Sequence, residues 1–96
     1  MRHRETALSE MLSASYMRFN EIVEDARVQG RPDSYSVAGK THSPQQFLAM
    51  LKQMISSIEI LFVNPLEKMG ADASHVIPQL QGTIIALEKE RQRNIT

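Results

Sequence analysis

The stretch from Ser43 to Leu66 constrains the fold of this 96-residue chain more than any other. Ser43-Pro44-Gln45-Gln46 combines a serine N-cap, a proline at the first helical position and a glutamine placed to close a capping box. Phe47, Leu51, Met54, Ile58 and Leu61 follow at steps of four, three, four and three, flanked by Leu48, Ile55 and Phe62 at steps of seven. On a helix these two rows span about 160°. Lys52 and Glu59 are the only charges between Pro44 and Leu66. A helix so broad in its apolar arc has to be covered from two directions, which makes it the expected centre of the fold. Asn64-Pro65 is expected to end or kink it, because proline lacks an N–H and restricts the residue before it. A further turn through Leu66 to Met69 would then close at Gly70.

Two more polar segments flank this one. From Arg4 to Val28, Leu8, Met11, Leu12, Tyr16, Phe19, Ile22, Val23 and Ala26 recur at helical spacing and fill an arc of roughly 140°. Glu10, Glu21, Glu24 and Asp25 give that helix an acidic solvent side, and Gly30 with Pro32 supplies a stop signal. Near the C-terminus Ile77, Leu80, Ile84 and Leu87 form a thinner stripe, roughly 80° wide, that dissolves into the charged run Glu88–Arg93. Between the first two helices Arg31–His42 has no helical period and consists of small, polar and turn-forming residues, so it is expected to be a loop. The expected fold is therefore all-α, a single domain over residues 1–96, with helices at about 4–28, 44–63 and 74–93 and a long loop at 30–43. It is either a three-helix bundle or a helical hairpin with an added helix.

Composition narrows the chemistry. Eleven basic and eleven acidic residues leave no net charge, hence no global field to attract nucleic acid. No cysteine is present, which removes disulfides, thiolate nucleophiles and sulfur-ligated metals. His3, His42 and His75 are too widely spaced to form a local metal pair. Gly39-Lys40-Thr41 matches the end of a phosphate-binding loop, but Ser34 stands where its first glycine belongs and a helix precedes it instead of a strand. No serine sits in a Gly-x-Ser-x-Gly setting. Arg2, Arg4, Arg91 and Arg93 at the two tips lack the basic recognition helix of a DNA reader and are expected to be solvated. The apolar stretch Ile60–Leu66 carries Asn64 and Pro65 and is short of a membrane span, and the N-terminus has no apolar signal stretch. The expectation is a cytoplasmic protein with no catalytic residues, cofactor, metal or small-molecule substrate, and no membrane association.

What remains is apolar helix surface. The central stripe exceeds what the thin third helix can cover, and a chain of this size has little stability in reserve. A homodimer is expected, with Phe47, Leu51, Met54, Ile55, Ile58, Leu61 and Phe62 at or near a dimer or partner interface. Met17 joins them because it lies about 180° from Leu8 on the first helix; Val28 and Ile60 are similar apolar outliers. The five internal methionines suit either gap-filling or an adaptable binding surface. The leading functional expectation is a small regulatory or adaptor protein that binds another protein through apolar helix faces, as an antagonist of a transcription factor or a chaperone-like escort would. A second is a small helical dimeric enzyme acting on a dicarboxylate. Dimeric chorismate mutases resemble this chain in length and helix order only, and Arg18 and Arg27 fall at the edge of the apolar stripe, where an inward cage of charges would need them inside it. A third is a DNA-binding accessory protein.

Overall fold

The computed structural model describes residues 2–29 and 33–93; the Gly30-Pro32 stop signal lies outside these, as do the side chains of Arg2 and Arg93. Helix α1 (Arg2–Gln29) leads into a two-stranded antiparallel hairpin, β1 (Tyr35–Val37) and β2 (Lys40–His42). Helix α2 (Pro44–Ile58) continues through one wide π-helical turn (Glu59–Val63) into α3 (Asn64–Lys68), and α4 (Val76–Arg93) closes the fold. The result is a helical bundle of one long and two shorter helices with a small hairpin at one end. Tyr16 reaches Gln79 and Arg27 reaches Glu90, a constant offset that sets α1 and α4 parallel, with α2–α3 running between them in the opposite sense.

The start of α2 forms as its residues require. The Ser43 hydroxyl accepts from the Gln46 N–H at 3.1 Å, while the Gln46 side-chain oxygen accepts from the Ser43 N–H at 3.0 Å, with Pro44 in the first turn. Phe47, Leu51, Ile55 and Ile58 point into the core against Phe19, Ile22, Val23 and Ala26 of α1 and Val76, Leu80, Ile84 and Leu87 of α4. Among the described residues no polar or charged side chain is buried.

The helix expected to end or kink at Asn64-Pro65 continues through it to Lys68, with a π turn just before the proline. The Asn64 N–H bonds to the Glu59 carbonyl, five residues back, so the backbone widens in the turn before Pro65. That widening relieves the clash of the proline ring with the preceding turn and absorbs its missing donor. It also shifts the helix phase: the core positions step from Ile58 to Val63 and then Leu66. The chain ends this helix at Gly70, whose φ of 92° is left-handed. Gly70 N–H bonds to the Glu67 carbonyl and Ala71 N–H to that of Leu66, both at 3.0 Å, which is a Schellman cap. Beyond it Asp72 accepts from the Ser74 hydroxyl at 2.8 Å and the Ser74 N–H at 3.2 Å. Those two bonds, the hydroxyl's first, hold its carboxyl below the usual carboxylate range. Helix α4 starts at Val76, two residues later than the spacing suggested, with Pro78 in its first turn.

The long polar loop is the other departure. Its middle is a hairpin in register Tyr35–His42, Ser36–Thr41 and Val37–Lys40. Ala38 and Gly39 form the two-residue connection with φ of 52° and 79°, both positive as a type I′ turn requires. The hairpin signal was hidden because alanine occupies a site where asparagine is usual, and each strand has only three residues. The loop folds because Tyr35 is buried: its ring stacks on Phe47 at 4.5 Å, and the Arg91 guanidinium lies 5.3 Å over the same ring and donates to its hydroxyl. One side chain thus joins the hairpin to the start of α2 and the end of α4.

Tyr35→Ala is therefore expected to cost about 3–5 kcal/mol in urea unfolding, and Tyr35→Phe, which keeps the stack but loses the Arg91 bond, about 1 kcal/mol. Replacing Ala38 by Asn or Gly removes the left-handed penalty on alanine and is expected to raise stability by about 0.5–1 kcal/mol in the same assay.

Candidate functional site: a groove between the first two helices

The phase shift at the π turn decides what the central helix leaves uncovered. Of the residues expected at an interface, Phe47, Leu51, Ile55 and Ile58 are committed to the chain's own core. Met54 and Phe62 are half-buried at its edge. Leu61, which an uninterrupted helix would keep on the stripe beside Ile58, is turned outward and is 57% exposed; its neighbour Ile60 is 65% exposed. Met17 is 63% exposed on α1, and Val28 also faces solvent, as their positions on the wheel suggest.

Of these outward residues Leu61 borders an open groove of about 530 Å³ between α1 and α2. Its α2 side is Met50, Met54, Leu61 and Phe62, with Ile58 at the bottom and Gln53 and Ser57 between. Its α1 side is Ala14, Ser15 and Arg18. The small side chains of Ala14 and Ser15 leave the space in front of α2 unfilled. Arg18 is the one charged residue in the lining, and its guanidinium is 3.7 Å from Glu21 on the solvent side, an exposed pair of little energetic weight. Met17 is not part of the lining; it sits on the far side of α1, beside a separate cleft that includes Tyr16, His75 and Gln79. A cleft of about 360 Å³ between α2 and α4 is framed by Lys52 and Glu88 and floored by Ile55 and Ile84.

The groove is built for apolar contact. Two methionines give it flexible walls, which can repack around side chains of different shape. It offers no pair of titratable groups facing one another and no convergent set of polar atoms. Among the described residues no three His, Asp or Glu side chains come together as a metal site would need. The Ser34–Thr41 segment, which resembled a phosphate loop, is the hairpin, with Gly39 at its turn.

Periodicity located the α2 wall but not the α1 wall. Ala14, Ser15 and Arg18 carry no apolar signal of their own; only Arg18, at the stripe edge, hinted at a boundary there. The unbroken helix Pro44–Lys68, 25 residues, is also long and apolar enough by length and composition to cross a membrane, which the segment up to Pro65 taken alone did not suggest. Core helices of water-soluble bundles share that property, and this one has its core row packed on α1 and α4. Compared with known protein families, curated proteins and solved structures, the chain matches none.

The outward turn of Leu61 has a direct consequence for stability. Leu61→Ala is expected to change unfolding free energy by no more than about 0.5 kcal/mol, whereas Leu51→Ala, at a fully buried position earlier on the same stripe, is expected to cost about 2–5 kcal/mol.

Proposed function

We propose that this chain is a small adaptor or regulatory protein, acting in the cytoplasm, whose α1–α2 groove receives the apolar face of an amphipathic helix from another protein. The observation that carries this reading is the exposed Leu61 beside the half-buried Met54 and Phe62 in the lining of an apolar groove. Exposing such surface costs free energy that a partner helix would recover by burial, at about 25 cal/mol per Å². Leu61 and Met54, two helical turns apart, suit anchors spaced at i, i+3 or i+4, and i+7 on the incoming helix. An antagonist of a transcription factor and an escort for an aggregation-prone partner both work in this manner, by covering a helix that would otherwise bind elsewhere. The apolar lining does not favour the alternative of an enzyme for a small dicarboxylate, which would need several cations converging on one site.

The test is affinity capture from the native cell by the wild-type chain and by Leu61→Asp and Met54→Asp variants shown by circular dichroism to be folded. Partners retained by the wild type are expected to be lost from both variants, with the Met50 and Met54 methyl resonances shifting when a captured partner is added back. An unchanged captured set, or shifts confined to residues outside the groove, would overturn the reading.

A further inference from the structure

The two walls of the groove differ in charge. On α2 every lining residue is uncharged, and Lys52 of that helix lines the separate cleft against α4. On α1 the lining ends at Ala14, Ser15 and Arg18, and the row just outside it is acidic. At 100° per residue Glu10, Ala14, Glu21 and Asp25 fall within an arc of about 60°, so three carboxylates stand on the same side of the helix as Ala14. All three are exposed. Glu10 shares a surface cleft with Ala14, and Asp25 shares one with Arg18 beside the hairpin. Among the described residues Glu10 and Asp25 take part in no ion pair, and Glu21 has only Arg18, at 3.7 Å. Three carboxylates against one guanidinium leave this rim net acidic in a chain whose total charge is zero. The basic start of α1 comes no closer along the axis than Arg4, about 9 Å before Glu10.

We infer, resting on the reading of the groove as a site for a partner helix, that this helix is basic on one flank: Lys or Arg beside its apolar row on the side that meets α1, and uncharged residues on the side that meets α2. Glu10 and Glu21 are separated by about 16 Å along the axis, which is also the span of three turns of an incoming helix. Two cations three turns apart on a helix laid along α1 therefore meet both carboxylates, and a third cation one turn further on meets Asp25. An acidic helix would set like charges along the whole rim. A neutral one would partly desolvate three carboxylates without supplying partners. Arg18 does not reverse the preference, because Glu21 already neutralises it. The apolar lining supplies the affinity, and the rim supplies the choice of partner and its orientation around the helix axis.

Two designed helical peptides with capped ends test this. Both carry the same leucine row and glutamine on one flank; the other flank holds three lysines in one peptide and three glutamates in the other. The full chain is expected to bind the lysine peptide at least about tenfold more tightly than the glutamate peptide in about 0.1 M salt, with the gap closing toward about 1 M. The Met50 and Met54 methyl resonances are expected to shift on binding. Glu10→Lys with Glu21→Lys is expected to invert the preference, and Glu10→Gln with Glu21→Gln, which introduces no new charge, to narrow it. Leu61→Asp is expected to weaken both peptides. Equal binding of the two peptides in the groove, a preference for the glutamate peptide, or a lysine preference that survives both pairs of rim substitutions would overturn the inference and leave the groove as a helix site. Failure of both peptides to shift the Met50 and Met54 methyls would overturn the groove reading and this inference with it.

Discussion

The structure is organised around the width of the apolar arc on its central helix. Two neighbouring helices can cover only part of such an arc, and the chain resolves the excess by changing the helix phase partway along. Up to Ile58 the core row follows ordinary α-helical steps; the single π turn then moves it to Val63 and Leu66. Covering those two positions sends Ile60 and Leu61 outward. Pro65 is what makes the wide turn favourable, since a regular turn would hold its ring against the carbonyl four residues back. One local constraint thus lets the helix continue to Gly70 and leaves apolar side chains at the surface. Wide turns of this kind are frequent at functional sites, where they re-aim side chains that a regular helix would bury.

At the opposite end a different interaction determines order. Tyr35 stacks on Phe47 and accepts a hydrogen bond from Arg91, so the hairpin, the start of α2 and the end of α4 meet on one side chain. The Arg27–Glu90 pair at 3.3 Å lies at the same end, where α1 and α4 finish together, though its exposure makes it a modest contributor. The bundle is therefore tightly tied at the hairpin end. Toward the other end, the side chains of Leu8, Leu12 and Tyr16 on α1 are only half-buried.

Much of this was readable from residue order, because helix boundaries and core rows are local matters. The capping box at Ser43 forms bond for bond, and Gly70 closes the helix that its position announced. The stripes of Phe19, Ile22 and Val23, of Phe47, Leu51 and Ile58, and of Leu80, Ile84 and Leu87 all face inward. Met17, Val28 and Ile60 stand out from their helices in the structure as they do on the wheel. The hairpin was not readable, since three-residue strands have too little alternation to register and Ala38 is an unusual occupant of a type I′ turn. Nor was Leu61, because a wheel drawn at a constant 100° per residue keeps it beside Ile58.

The order of the chain by itself determined that the protein is helical, that its helices begin and end close to where they do, and that one of them is too apolar to be covered by its neighbours. Those properties follow from hydrogen bonds and periodicities within a few residues of one another. Tertiary structure alone decided which apolar residues became core and which became surface. Tyr35 is buried because Phe47 stacks on its ring and Arg91, 56 residues along the chain, reaches its hydroxyl. Leu61 is exposed because the π turn gives the buried positions to Val63 and Leu66, a choice set by packing between helices that no local pattern records.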